Sequence, residues 1–130
     1  MLSIQVIRNQ SNLGVGLARQ VGIDKTTADY ICFVDADDML LPNAIEDWNN
    51  EIEKNNPDVI ATPVIYIKGR RPTIREEFWM CHGKVYKVSF LKEFDIREHE
   101  SIKCFDDLYL NWQAFSLANN CSILSEPTAI

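Results

Sequence analysis

Three carboxylates lie within four positions in the segment Val34-Asp35-Ala36-Asp37-Asp38. They follow the apolar run Tyr30 to Val34, which predicts a buried strand that ends at these acids. Because side chains alternate along a strand, Asp35 and Asp37 are predicted to share one face and Asp38 to take the other. Two hard oxygen ligands at the open end of a strand suit Mg²⁺ or Mn²⁺ held against the phosphates of a nucleotide.

The same acids have two other interpretations. Asp is common in turns and helix caps, and Pro42 suits the first turn of a helix, so the acids could simply end the strand and cap the next helix. A calcium loop that opens at Asp35 would need a ligand at its fifth position and a glycine at its sixth, where the chain has Met39 and Leu40. The calcium loop is therefore excluded, and the capping alternative stays open.

The composition is that of one globular domain with enough apolar residues for a core: 130 residues, 46% hydrophobic and 25% charged. A net charge of −6 and a pI near 4.8 argue against general affinity for nucleic acid or acidic membranes. No apolar run approaches the ~18 residues of a spanning helix, and no export signal opens the chain. The four cysteines form no Cys-x-x-Cys pair, which favours reduced thiols in a cytoplasmic protein over a disulfide or zinc site.

Strand and helix patterns alternate along the chain, and this alternation predicts an α/β sheet with helices on its faces. Ligands of such sheets bind beyond the carboxyl ends of the strands, where the aspartates lie. The predicted strands are Ile4 to Arg8, Ala28 to Val34, Asp58 to Ile67 with a break at Pro63, Met80 to Tyr86 and Cys121 to Leu124. The predicted helices are Gly14 to Ile23, Pro42 to Asn55, Val88 to Phe94 and Asp106 to Asn119, and Gly69 to Thr73 is predicted as a basic, mobile loop.

Four linked motifs carry a resemblance to a known family. They are Asn12-x-Gly14-x-x-x-Ala18-Arg19-x-x-Gly22-Ile23, then Ala28-Asp29-Tyr30-Ile31-x-Phe33-x-Asp35-x-Asp37-Asp38, then Gly83-Lys84-x-Tyr86-Lys87, and finally Phe105-Asp106-Asp107. In this order they resemble the family 2 glycosyltransferases of the GT-A fold, in which a DXD-type motif ends a strand and an aromatic-Glu-Asp motif opens a later helix. The expected structure is a partial GT-A mixed sheet flanked by helices, in one truncated domain over residues 1–130.

The resemblance implies an inverting transfer of a sugar from a nucleotide-sugar donor to an acceptor hydroxyl, assisted by Mn²⁺ or Mg²⁺. It implies metal binding by Asp37 and Asp35, and Asp35 is also a candidate for the donor ribose. The metal would offset the charge that develops on the diphosphate as the glycosidic bond breaks. Asp107 is implied as the base that takes the acceptor proton, with Asp106 beside it. Capping of the helix that begins there is the alternative role of this pair.

Other donor-site residues are implied by the same motifs: Arg19, Asn12, Gly14 and Lys84. Arg19 and Lys84 also have an ordinary interpretation as solvated side chains, with Lys84 exposed in a turn. His82 lies next to Gly83 and could reach the metal through a neutral imidazole. Two positions depart from the family pattern, because Gln20 replaces an Asn and Asp106 replaces a Glu.

The strand-helix-strand unit with which family members begin, carrying Pro-x-Tyr-Asn and Asp-Asp-Gly-Ser, is not found in these 130 residues. Its strands would lie between Ile4 to Arg8 and Tyr30 to Val34, so an exposed sheet edge and self-association through that edge are expected. Two functions stay open: a metal-assisted glycosyltransferase acting on a saccharide or other hydroxyl acceptor, and a catalytically inactive GT-A fragment that serves as a binding or assembly module.

Overall fold

The computed structural model describes residues 4–68, 71–76, 79–102 and 104–130. Its helices are α1 (Val15–Lys25), α2 (Ala44–Asn55), α3 (Val88–Glu93) and α4 (Asp106–Leu117). Its strands are β1 (Tyr30–Cys32), β2 (Val59–Ala61), β3 (Val64–Lys68), β4 (Arg71–Arg75), β5 (Lys84–Lys87) and β6 (Cys121–Ile123). No helix within the described ranges combines the length and the apolar character needed to cross a membrane.

The main sheet has four strands in the order β1-β5-β2-β6. Strand β5 runs antiparallel to both of its neighbours, β1 and β2, whereas β2 and β6 are parallel. Strands β3 and β4 form a separate antiparallel pair. The predicted mixed sheet flanked by helices is confirmed.

Alternation along the central strands divides the core into two clusters. Val59 and Tyr86 contribute to one cluster, together with apolar residues of α1, α3 and α4. Their neighbours Ile60 and Val85 point to the opposite face and pack with Trp48 of α2. Both faces of the central strands β2 and β5 are therefore covered, which explains why β2 is apolar without interruption.

The predicted break at Pro63 is confirmed, because β2 ends at Ala61 and β3 begins at Val64. The turn before β5 packs closely against this break. Thr62 donates its backbone N–H to the carbonyl of Gly83 over 2.8 Å. Gly83 has φ of 68°, and a Cβ at this position would lie 2.7 Å from the carbonyl oxygen of Thr62. Glycine is therefore required here both by conformation and by space.

The predicted strand Ile4 to Arg8 is wrong, because residues 4–9 contain no strand. Ile4 and Val6 are 84% and 76% exposed, so the alternating pattern has no sheet beside it to bury its apolar side. A strand forms only where a neighbour accepts its backbone hydrogen bonds, and propensity alone does not supply one. Strand β1 is shorter than predicted and occupies an edge of the four-stranded sheet.

The predicted loop Gly69 to Thr73 is also largely wrong. Residues 71–75 form β4, which pairs with β3 so that Pro72 lies opposite Ile67 and Ile74 opposite Ile65. Gly69 and Arg70 lie outside the described residues. Proline is tolerated because, among the described residues, β4 pairs with β3 alone and so forms an edge.

Candidate functional site

The guanidinium of Arg19 joins three carboxylates that are far apart in the sequence. Its Nη2 atom lies 3.0 Å from Oδ1 of Asp35, and its Nη1 atom lies 3.0 Å from Oδ2 of Asp106. Nη1 also donates to Oδ1 of Asp107. The Arg19 side chain is 9% exposed, and its charged group lies 5.8 Å from the ring centre of Phe33. The arginine fork thus connects the DXD-type segment with the start of α4.

The close packing of α1 against the start of α4 brings these groups together. Gly16 lies one turn before Arg19, and a Cβ at Gly16 would be 3.1 Å from both Cβ of Asp106 and Oε2 of Glu98. The absence of a side chain at Gly16 therefore lets the first turn of α4 approach α1. Arg19 then reaches across the same contact to the two aspartates.

Asp106 and Asp107 lie in the first turn of α4, and neither is its cap. Phe105 is the N-cap residue, with φ of 62° and no side-chain cap hydrogen bond. The side chains of Asp106 and Asp107 are 16% and 18% exposed. Oδ2 of Asp107 accepts the backbone N–H of Cys81 over 3.0 Å. The pair points into the cluster of charges, where the positive end of the helix dipole also favours carboxylates.

Glu98 adds a fourth carboxyl group to this cluster, and the sequence reasoning missed it. The residue is 4% exposed, and neither of its carboxylate oxygens has a hydrogen-bond partner within the described part of the chain. Burial and the nearby charge of Asp106 raise the pKa of Glu98 from 4.5 to about 7, although Arg19 opposes this rise. Glu98 lies in an irregular segment without periodicity, so no local pattern indicates its burial.

A second group of potential ligands lies beside the first. One carboxylate oxygen each of Asp35 and Asp38 and one ring nitrogen of His82 all lie within 4.8 Å of one another. Oδ2 of Asp38 is 3.9 Å from Nδ1 of His82, and Nε2 of the same ring lies 2.8 Å from the hydroxyl of Tyr66. The Nδ1 atom is buried and lacks a hydrogen-bond partner among the described residues.

This Asp35, Asp38 and His82 group fits a divalent cation. Two carboxylates and an imidazole suit Mn²⁺, and the hydrogen bond with Tyr66 fixes the orientation of the ring, as ligating histidines require. The Nδ1 atom of His82, which has no hydrogen-bond partner among the described residues, lies 3.9 Å from Oδ2 of Asp38, with which it would share the ion. Burial raises the pKa of Asp38. The nearby His82 opposes this rise, whereas the charges of Asp35 and Asp37 add to it. A bound cation would favour the ionised form of Asp38.

The structure changes the predicted arrangement of the DXD-type segment. Strand β1 ends at Cys32, so strand alternation does not extend to the aspartates. The chain turns instead, and the backbone N–H of Asp38 donates to the carbonyl of Asp35 over 3.1 Å. Asp38 therefore returns towards Asp35, while Asp37 is exposed and outside the group of three. Metal binding by Asp37 stays a prediction.

The other predicted donor-site residues have different places. Oδ1 of Asn12 accepts the backbone N–H of Gly14 over 2.9 Å, and this turn leads into α1. The alternative interpretation of Lys84 as an exposed turn residue is wrong, because Lys84 begins β5 and is 2% exposed. Donor binding by Lys84 stays a prediction. Its Nζ atom lies 3.4 Å from the carbonyl oxygen of His82. The ammonium group of Lys84 thus lies beside the backbone of one of the three potential ligands.

Comparison with known protein families gives one match that covers most of the chain. The model described as "Glycosyl transferase family 2" matches residues 2–117. Among characterised sequences, the poly(ribitol-phosphate) β-N-acetylglucosaminyltransferase TarS of Staphylococcus aureus is 25% identical over 96% of this chain and 25% of its own length. An uncharacterised glycosyltransferase of Methanocaldococcus jannaschii, MJ1057, is 28% identical over 74% of this chain and 32% of its own length.

Solved structures of TarS share the fold. One superposes with a TM-score of 0.83 at 23% identity and covers 93% of this chain and 41% of the TarS chain. TarS structures in complex with UDP and with UDP-GlcNAc superpose with TM-scores of 0.80 and 0.78 at the same identity. This likeness confirms the predicted GT-A type of fold. The chain spans about a quarter to a third of the length of these sequence relatives.

Proposed function

Because the chain belongs to glycosyl transferase family 2, we propose that it acts in the metal-assisted, inverting transfer of a sugar from a nucleotide-sugar donor to an acceptor hydroxyl. The observation that carries this proposal is the Arg19 fork, which links Asp35 at the donor end to Asp107 at the acceptor end. A transferase must bind the donor diphosphate and activate the acceptor hydroxyl within the length of one sugar. An ion pair that only stabilised the fold would not need to bring these two functions together. The complexes of TarS with UDP and UDP-GlcNAc support the choice of donor class.

The donor diphosphate would lie at Asp35, Asp38 and His82. A divalent cation bound there would neutralise the charge that collects on the diphosphate when the glycosidic bond breaks. His82 presents to this position a buried Nδ1 atom that has no hydrogen-bond partner in the described part of the chain, and Tyr66 fixes its ring. Asp37, exposed on the same turn, is the alternative ligand that the sequence favours.

Asp107 would serve as the base. The acceptor hydroxyl attacks the anomeric carbon from the side opposite the diphosphate, the bond to the diphosphate breaks, and the hydroxyl proton passes to the Asp107 carboxylate. Arg19 and the backbone N–H of Cys81 both donate to this carboxylate and fix its direction. Asp106, on the same guanidinium nitrogen, would position Arg19 and not take the proton itself.

Calorimetric titration of UDP, with and without Mn²⁺, tests the metal assignment. We expect Mn²⁺-dependent binding that Asp38→Asn and His82→Gln abolish and that Asp37→Asn leaves intact. The Asp37 variant is a matched control, because it removes a charge from the same turn. If Asp37→Asn abolished binding and Asp38→Asn did not, the sequence-based choice of ligand would be correct. Metal-independent binding in every variant would refute a metal-assisted donor site.

An assembly module without turnover is the second candidate, and the exposed edge of β1 favours it. Ile4 and Val6 are apolar, exposed and not part of a strand, and β1 ends the sheet on one side. Such an edge can accept a strand from another chain. Light scattering over a dilution series tests self-association, and a monomer at every concentration would count against it. The cysteine pattern supports a cytoplasmic location in either case.

A further inference from the structure

An aromatic pocket lies on the exposed side of α4, outside the charged cluster. It has a volume of about 480 Å³, within the usual range for ligand pockets of roughly 300–1,000 Å³. Its lining consists of Trp79, Leu108, Asn111, Trp112, Phe115 and Ser116. The two tryptophans are 53% and 66% exposed, which is unusual for side chains of this size.

The pocket lies along the same helix as the candidate base, which is not one of its lining residues. Asn111 lies one helical turn after Asp107, and Trp112 lies about 7.5 Å further along the axis than Asp107 at 1.5 Å per residue. The opposite wall is tied to the same carboxylate, because Cys81 donates its backbone N–H to Asp107 and Trp79 lies only two residues before Cys81. A molecule in the pocket would therefore place its next unit at the base.

The chemistry of the lining selects a class of occupant. None of the six lining residues is charged, while two indoles and a phenyl ring offer broad apolar faces. The C–H faces of a pyranose ring pack well on such rings, and the polar edges of the sugar stay free to bond with water or Ser116. A phosphate group would instead require Arg or Lys, which this pocket does not contain among its described lining residues.

We propose that this aromatic pocket is an acceptor subsite, which binds a neutral sugar ring of a saccharide acceptor one unit away from the hydroxyl that is glycosylated. The inference rests on the proposed function, since it takes Asp107 to mark the acceptor end of the site. It makes a cyclic, uncharged saccharide the preferred acceptor over a phosphate-bearing polyol. It also explains the exposure of Trp79 and Trp112, which a folded core would otherwise bury.

The three tryptophans of the chain provide the test, because Trp48 is buried in the core at 4% exposure and serves as an internal control. The ¹⁵N-labelled chain would be titrated with cellobiose, maltose, lactose and N,N′-diacetylchitobiose, and separately with ribitol 5-phosphate. We expect the indole N–H signals of Trp79 and Trp112 to shift saturably with at least one disaccharide while that of Trp48 stays fixed. No saturable shift with any of the four at tens of millimolar would overturn the proposal, as would shifts with ribitol 5-phosphate alone.

Two variants separate stacking of a sugar on the ring from general apolar contact and from self-association. Trp112→Leu keeps an apolar side chain and should weaken disaccharide binding about tenfold or more, whereas Trp112→Phe should retain most of it. Equal loss in both variants, or shifts on dilution without sugar that reveal a second copy on this face, would contradict the subsite. Mn²⁺-dependent UDP binding should be unchanged in both variants. If the wild-type chain bound no UDP while the sugar shifts were intact, the donor site would be refuted and the pocket would stand.

Discussion

Replacement of Glu98 by Gln should make the protein more stable at alkaline pH and leave its stability nearly unchanged in acid. The wild-type carboxyl group is 4% exposed and has a pKa of about 7, against 4.5 in the unfolded chain. At roughly 1.4 kcal/mol for each pH unit, this difference amounts to about 3 kcal/mol. Glutamine has nearly the same shape and no proton to lose, so the variant removes this cost.

The direction of this pH dependence follows from whether the folded or the unfolded state binds a proton at Glu98. Below pH 4.5 Glu98 is protonated in both states and contributes nothing to the pH dependence. Between pH 4.5 and about 7 the folded state keeps a proton that the unfolded state releases, so stability falls as the pH rises. Above pH 7 the full penalty is present. Between about pH 5.5 and 8, the free energy of unfolding of the wild-type protein should therefore fall by about 2 kcal/mol relative to that of E98Q.

Urea unfolding at these two pH values, followed by tryptophan fluorescence, measures the effect. The lower value stays above the pI near 4.8, where solubility is least. Glu100→Gln is the matched control, because this exposed residue lies two positions away and should leave the pH dependence unchanged. If the wild-type protein and E98Q showed the same pH dependence, Glu98 would be ionised in the folded state and its burial would not hold the proton.

Three further substitutions, with Gly22→Ala as a control, test the packing around the site by urea unfolding. Arg19→Lys loses the fork that joins three aspartates and should lower the free energy of unfolding by on the order of 3 kcal/mol. A decrease of less than about 1 kcal/mol would show that the carboxylates are solvated. Gly83→Ala should destabilise by about 1 to 3 kcal/mol, whereas Gly22→Ala, which meets no atom within 4 Å, should be neutral or stabilising by up to about 1 kcal/mol. Tyr86→Phe removes a buried 2.7 Å hydrogen bond to Asn111 and should cost about 1 to 3 kcal/mol, and equal stability would contradict that bond.

Local sequence patterns were sufficient to predict the helices that bury one face. The helices predicted over 14–23, 42–55 and 106–119 are observed as α1, α2 and α4, with ends that differ by one or two residues. Their periodic apolar positions and end signals act within a few residues. The strand predicted over 4–8 had an equally regular pattern, but a strand depends on a neighbour that the pattern does not specify.

The site was predicted only in part, for the same physical reason. The resemblance to the family indicated Asp35, Arg19 and Asp107, and the structure brings all three together. Their contacts span 16 and 88 positions, which no local pattern encodes. His82 was named from the sequence as a possible metal ligand, whereas Glu98 was missed. The burial of both side chains depends on long-range contacts, for which sequence spacing carries no signal.

The balance of charge in the site indicates how its two halves depend on each other. Arg19 supplies one positive charge to Asp35, Asp106 and Asp107, and Asp38 with exposed Asp37 adds two carboxylates beside them. A nucleotide diphosphate brought to this surface alone would be repelled, because like charges within a few ångströms cost energy that solvent only partly screens. A divalent cation at Asp35, Asp38 and His82 would halve this net negative charge and would give the diphosphate a positive ion to contact directly. Metal binding should therefore precede nucleotide binding, and the apparent affinity for UDP should rise with Mn²⁺ concentration until the ligand group is saturated.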